Sequence, residues 1–203
     1  MRNFFVSALS AMLVLASCQK NEILVPKSGN TLTATIEKVT DTRTMMDENK
    51  NVLWTEGDQV IAFMKSTLGT KFQVTEESVG ETTADFDEVL SGGGGLHSGN
   101  ELSHNVVYYP YASSVKCKMT SDYYSLSVNL PSEQHLESGS FGIGSFPMVA
   151  VSETNNITFR NVCGAVKLQL KGTQNVISVK IEGKAGEKLS GDATVTAYSD
   201  GTR

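Results

Sequence analysis

The chain has few of the side chains that enzymes and metal sites need. It contains three histidines and three cysteines in 203 residues. None of His97, His104 and His135 belongs to a His-x-x-x-His or Cys-x-x-Cys pair of the kind that indicates zinc. A Gly-x-Ser-x-Gly nucleophile sequence is also missing. We therefore expect no catalytic residue, no metal and no cofactor, and a role other than that of an enzyme.

Excess positive charge and long apolar runs are lacking as well. The net charge is −5 and the isoelectric point is about 5.2, whereas nucleic-acid phosphates select basic surfaces. After residue 18 no stretch has the roughly 20 apolar residues of a membrane-spanning helix. The same region has no amphipathic helical pattern of ten or more residues. We expect neither a nucleic-acid partner nor a helical domain.

Residues 1–17 have the three parts of a secretory signal peptide. Arg2 supplies the positive start, residues 4–16 form an apolar run, and small residues follow. The sequence Leu15-Ala16-Ser17-Cys18 resembles the end of a bacterial lipoprotein signal. That resemblance implies that Cys18 is lipidated and becomes the mature N-terminus.

A lipidated Cys18 would anchor the protein to a membrane. By this resemblance it carries a diacylglycerol and an N-acyl chain such as palmitate, and about two anchoring signals suffice for stable attachment. Gln19 follows where Asp would imply retention in the inner membrane, so the resemblance implies the outer membrane. We interpret residues 18–30 as a polar tether.

Two cysteines remain beyond Cys18. The exported compartment permits a disulfide between Cys117 and Cys163, so that a bond and free thiols both stay open. Cys163 precedes a predicted apolar strand, where we expect it to be a small buried residue. This position favours free thiols.

Short strands are predicted throughout the mature chain. The first has Leu32, Ala34 and Ile36 on one face, alternating with polar residues. Further strands are predicted within residues 52–54, 60–64, 71–74, 83–89, 106–111, 126–130, 147–151, 157–159, 166–170, 177–181 and 193–197. About a dozen short strands separated by turns predict an all-β protein with a β-sandwich fold. Val52 and Trp54 share one face of their strand, so we expect Trp54 in the core.

Several segments together resemble the fimbrillin-like lipoproteins, a family related to subunits of type V pili. They are Ala34-Thr35-Ile36-Glu37, Thr42-Arg43-Thr44, Leu53-Trp54-Thr55-Glu56-Gly57-Asp58-Gln59-Val60, Tyr108-Tyr109-Pro110-Tyr111, Leu130-Pro131-Ser132-Glu133-Gln134 and Phe159-Arg160-Asn161-Val162-Cys163-Gly164. The most specific are Trp54-x-x-Gly57-Asp58 and Phe159-x-Asn161-x-Cys163-Gly164. The segments span nearly the whole mature chain.

The resemblance implies both a domain organisation and a function. Residues 31–157 would form a β-sandwich of transthyretin-like, Greek-key type, and residues 158–203 would begin a second β-sandwich that is truncated. The protein would be a surface-exposed outer-membrane lipoprotein that acts as a fimbrial subunit, anchor or adhesin. Its partners would be membrane lipid, other pilus subunits joined by β-augmentation, and a ligand on a host or bacterial surface.

The resemblance also implies maturation by cleavage after Arg43. An Arg-specific protease would remove the first strand, and a donor strand from another subunit would fill the groove. Arg43 lies in the polar stretch of residues 40–44, where a protease could reach the backbone. The alternative, an uncut connection with a surface arginine, stays open.

A second functional class also stays open. Tyr108, Tyr109 and Tyr111 could stack on sugar rings, as in a glycan-binding lipoprotein of a nutrient-uptake system. The alternative is that these tyrosines belong partly to the core and partly to its rim.

Overall fold

The computed structural model describes residues 30–37, 53–90, 99–137, 140–141, 144–164, 166, 168 and 170–200. These residues contain twelve strands and one 3-10 turn, Glu76–Ser78. The strands are β1 (Thr31–Ile36), β2 (Gln59–Ser66), β3 (Gly69–Val74), β4 (Thr83–Glu88), β5 (Glu101–Tyr109), β6 (Lys116–Met119), β7 (Tyr123–Leu130), β8 (Leu136–Glu137), β9 (Ser140–Phe141), β10 (Met148–Ser152), β11 (Asn156–Asn161) and β12 (Gly191–Tyr198). The all-β prediction is confirmed. No helix in these ranges has the length and apolar character needed to cross a membrane.

Seven strands form a closed barrel in the order β1-β11-β10-β5-β2-β3-β4. Six of its seven strand pairs are antiparallel, and the pair of β1 with β11 is parallel. β1 closes the barrel because β4 pairs with its other edge.

The barrel interior is filled by alternate residues of its strands and by two side chains from loops. Period-two alternation places one face of each strand inward. The inward residues are Leu32, Ala34, Ile36, Val60, Ala62, Phe72, Val74, Ala84, Phe86, Val107, Tyr109, Met148, Ala150, Ile157 and Phe159, and the loops add Trp54 and Phe146.

A second, smaller sheet has the order β12-β7-β6. Its apolar face packs against the outer face of β2, β5 and β10. The residues of this second core are Ile61, Phe63, Leu102, Val106, Tyr108, Val115, Cys117, Tyr124, Leu126, Val128, Val149, Val195 and Ala197. β2, β5 and β10 are therefore covered on both faces, which explains their nearly continuous apolar runs. β8 and β9 form a separate two-stranded pair.

Three of the predicted strands differ from the structure. Leu53 and Trp54 are not in a strand, and the described residues of 166–170 and 177–181 form none either. The apolar side chains of the two later segments are exposed, and Ile177 is 98% accessible. A segment with alternating apolar residues forms a β-strand only when it hydrogen-bonds to a neighbouring strand. No described strand pairs with these segments.

β11 and β12, the two described strands that include or follow residue 158, belong to the barrel and to the second sheet. The predicted start of a second domain at residue 158 falls inside β11, which pairs with β1 and β10. β12 pairs with β7 along all eight of its residues.

Candidate functional site

The strand that closes the barrel, β1, is the candidate site. On one side it runs parallel to β11, with Thr33 opposite Asn156 and Ile36 opposite Phe159. On the other side it runs antiparallel to β4. The Thr33 amide donates to the Asn155 carbonyl at 3.0 Å, and the Glu37 amide donates to the Phe159 carbonyl at 2.9 Å. Both edges of β1 are thus used.

The inward face of β1 is apolar and fully enclosed. Leu32 and Ala34 are 0% exposed and Ile36 is 5% exposed. Ala34 lies between Ala84 of β4 and Ile157 of β11 in the register. Without β1, these neighbours would line an apolar groove between two strands with unpaired backbone groups.

The outward face of β1 is polar and bonded to β4. The Thr31 hydroxyl donates to Asp87 Oδ1 at 3.0 Å, and the Thr33 hydroxyl donates to Asp85 Oδ1 at 2.8 Å. The hydroxyls of Thr35 and Thr83 are 2.9 Å apart. These cross-strand bonds hold the register of β1. A shift by one residue would break them and would also turn the apolar face outward.

A single covalent connection, residues 37–58, joins β1 to the other strands of the barrel. Arg43 falls within this connection. A cut after Arg43 would leave β1 held in the barrel by noncovalent contacts alone. Arg43 and Cys18 both lie outside the described residues, so their predicted roles stay predictions.

Three of the sequence segments behind the fimbrillin-like resemblance meet in the barrel interior. Trp54 is 1% exposed, which confirms its predicted core position. Its indole makes edge-to-face contacts with Phe86, Tyr109 and Phe159, with ring centroids 4.9, 5.7 and 5.6 Å away. Trp54, Tyr109 and Phe159 come from three different segments of the resemblance, so these segments share one structural role.

A buried carboxylate links the turn after Trp54 to β5. Asp58 Oδ2 accepts hydrogen bonds from the Thr55 amide at 2.8 Å and the Thr55 hydroxyl at 3.0 Å. The Tyr109 hydroxyl donates to Asp58 Oδ1 at 2.8 Å and accepts from the Gly144 amide at 3.1 Å. Gly57 has a φ of +85°, a conformation that glycine adopts readily, and this conformation allows the tight turn.

Burial dominates the titration of this network. It raises the pKa of the Asp58 carboxyl, although the hydrogen bonds from Thr55 and Tyr109 act in the opposite direction. Burial, followed by the nearby Asp58 charge, also raises the pKa of Tyr109. The sequence did not predict this network, because Asp58 and Tyr109 are 51 positions apart in the chain.

The three tyrosines considered as a sugar platform do not form one exposed surface. Tyr108 is buried in the core between the sheets, and Tyr109 is buried in the barrel. Tyr111 is half-buried, with the Lys71 ammonium 5.2 Å from its ring centroid. The faces of the two buried rings are not available to a sugar.

The cysteines and histidines of the described residues form no metal site. Cys117 and Cys163 are free thiols, which is the alternative that the sequence favours, and burial raises the pKa of Cys117 to about 12. His104 Nδ1 lies 2.8 Å from the Tyr124 hydroxyl, and its Nε2 lies 3.8 Å from Glu153. His135 is exposed and His97 lies outside the described residues. No group of three potential metal ligands occurs in this part of the chain.

Comparisons with known proteins add no relative. No family model matches the sequence, and searches of curated proteins and of solved structures find no match. The likeness to the fimbrillin-like lipoproteins therefore rests on the sequence segments alone.

Proposed function

We propose that the protein is a surface-exposed outer-membrane lipoprotein that acts as a fimbrial subunit, anchor or adhesin and assembles by β-strand exchange. The observation that carries the proposal is the position of β1. This strand closes the barrel, pairs on both edges, and has one covalent connection to the other strands. Such a strand can be cut from the chain and replaced by a strand of another subunit.

The chemistry of β1 supports exchange. A donor strand must supply main-chain hydrogen bonds to β4 and β11 and small or apolar side chains at alternate positions. The pockets now occupied by Leu32, Ala34 and Ile36 would select such a strand. The proposed partners are thus other pilus subunits, in addition to membrane lipid and a ligand on a host or bacterial surface.

We also propose that the two packed layers are a variant of the β-sandwich expected from the family resemblance. The outer face of β2, β5 and β10 and the sheet β12-β7-β6 enclose one apolar core, as two sheets of a sandwich do. The barrel closure through β1 distinguishes this arrangement from an open sandwich.

Maturation after Arg43 provides the test. Protein shed from cells should begin at Thr44, and Arg43→Ala should abolish this new terminus. The terminus is read by N-terminal sequencing or by mass spectrometry of the intact protein. Surface protein that keeps its lipid and the residues before Arg43 in every preparation would contradict maturation by cleavage.

A further inference from the structure

The segment of residues 176–182, here called the donor segment, has the pattern of a strand without a strand partner. Ile177, Val179 and Ile181 alternate with Ser178, Lys180 and Glu182. All three apolar side chains are more than half exposed, and the segment pairs with no described strand. Its backbone groups and apolar face are therefore available to a sheet edge.

Among the described residues, two sheet edges formed by strands of four or more residues are open to such a segment. The barrel is closed, so its strands have none, whereas the sheet β12-β7-β6 ends at β12 and at β6. β6 spans only four residues and has Lys116 and Lys118 exposed. Short length and lysine are features that protect an edge against pairing.

The edge at β12, Gly191–Tyr198, has no such protection. It spans eight residues and contains neither lysine nor proline. One of its edges pairs with β7 along the whole strand, and no described strand pairs with the other. β12 is thus the edge that can accept another strand.

Charge also favours β12 over β6. Residues 164–190, which include the donor segment, contain five lysines and two glutamates. The exposed charge on β12 is the carboxylate of Asp192, whereas β6 presents Lys116 and Lys118. Within the donor segment Lys180 and Glu182 form an ion pair at 2.8 Å, so the excess charge lies in its flanks, which hold four lysines and one glutamate. These basic flanks would be repelled from β6 and attracted to β12.

We propose that β12 of one copy binds the donor segment of a second copy, which adds a fourth strand to the sheet. Ile177, Val179 and Ile181 would then extend the apolar face that Val195 and Ala197 already form. Only residues 183–190 separate the donor segment from β12 in the chain, and each copy has both, so each copy can give and receive one strand. Such a reciprocal exchange closes into a two-fold dimer.

This contact goes beyond the proposed exchange of β1. It uses neither the barrel nor the connection that contains Arg43. Arg43→Ala therefore leaves the dimer unchanged, so the failure of one proposal is distinguishable from the failure of the other.

Two lysine substitutions test the contact in the full chain. Val179→Lys places a charge on the donor segment, and Thr194→Lys gives β12 the protection that β6 has. Both positions are exposed, so the fold is retained, as circular dichroism will check. Leu90→Lys, at a residue that is 63% exposed far from both strands in sequence, is the matched control.

Sedimentation velocity over a range of concentrations, in one nonionic detergent, measures association. The wild type and Leu90→Lys should form dimers, and each of the other variants should dissociate about ten-fold more readily or more. An equimolar mixture of Val179→Lys and Thr194→Lys should form a 1:1 complex, because it restores one intact donor and one intact acceptor.

Several outcomes would overturn the proposal. A wild type that is monomeric at every concentration excludes a second copy as the partner. The same result is expected if the donor segment folds back on β12 of its own chain. Dimers that are lost in Thr194→Lys but kept in Val179→Lys indicate direct pairing of two β12 strands. A mixture that stays monomeric shows that the two segments do not bind each other.

Discussion

Trp54 contacts residues of three different strands, and these contacts explain why its truncation should destabilise the fold. Trp54→Ala would leave a cavity between Phe86, Tyr109 and Phe159. We expect the free energy of unfolding to fall by about 3–5 kcal/mol, as for other large-to-small changes in a core. Chemical denaturation followed by far-ultraviolet circular dichroism measures it, since Trp54 is the only tryptophan.

The phenylalanine variant provides a finer comparison at the same position. The Trp54 Nε1 atom has no hydrogen-bond partner in the described residues, so Trp54→Phe removes a buried, unpaired donor while it keeps an aromatic ring. We expect it to cost clearly less than Trp54→Ala. Equal losses for the two variants, or an unchanged midpoint for Trp54→Ala, would contradict the packing described.

Asp58 should make stability depend on pH. Its pKa is raised in the folded state by burial, so the folded protein binds this proton more tightly than the unfolded chain. Its contribution to the free energy of unfolding is therefore greatest in acid and falls as pH rises from about 4 through the folded pKa. The stability of the wild type relative to Asp58→Asn should fall over the same range.

Denaturant titrations of both proteins between pH 4 and pH 7 measure this difference. Charges elsewhere cancel in the comparison, and Asp122→Asn, at an exposed residue, is the control for the change in net charge. A difference that is constant, or that grows with pH, is the result that would exclude a raised pKa at Asp58.

At the scale of the element, β1 combines an apolar inner face with a polar outer face. After proteolysis at Arg43, a labelled peptide of residues 30–37 should exchange into the barrel in place of β1. The peptide with Ala34→Asp should not bind, because Ala34 is 0% exposed between β4 and β11 and a carboxylate there would be buried without a partner.

The matched peptide carries the same aspartate one residue later. Thr35 lies on the outer face, where its hydroxyl contacts that of Thr83, so Thr35→Asp should retain much of the binding. Fluorescence anisotropy of the labelled peptides gives the comparison. Equal binding of the two variants would show that the strand does not enter in the register of β1.

The elements differ in how far the sequence predicts them. Alternation identified β1 and the strand pattern of β12, because one face of each strand packs on a core. The same alternation at residues 177–181 wrongly predicted a strand. The pattern shows which side chains share one face, but it does not show which strand would pair with the segment. The link from Asp58 to Tyr109 joins residues 51 positions apart, and no local pattern encodes such a distance.

At the scale of the whole molecule, the proposed lipid anchor would hold the barrel and the second sheet at the membrane surface. Labelling of cells with an alkynyl fatty acid should mark the wild type and leave Cys18→Ser unmarked, because Cys18 is the proposed acceptor of the lipid. In-gel detection of the labelled protein measures this. Equal labelling of the two proteins would exclude lipidation at Cys18.

The parallel pairing of β1 with β11 has a consequence for the order of folding. The Asn155 side chain donates to the Thr31 carbonyl across 124 positions of the chain, so the first strand of the barrel must wait for the last. Contacts between residues so distant in sequence form slowly, because a long loop has to close before they are made. The strand that carries Leu32, Ala34 and Ile36 can pair early with β4, but its cover on the side of β11 needs residues 156–161 in place. We therefore expect closure of the barrel between β1 and β11 to be a late step in folding.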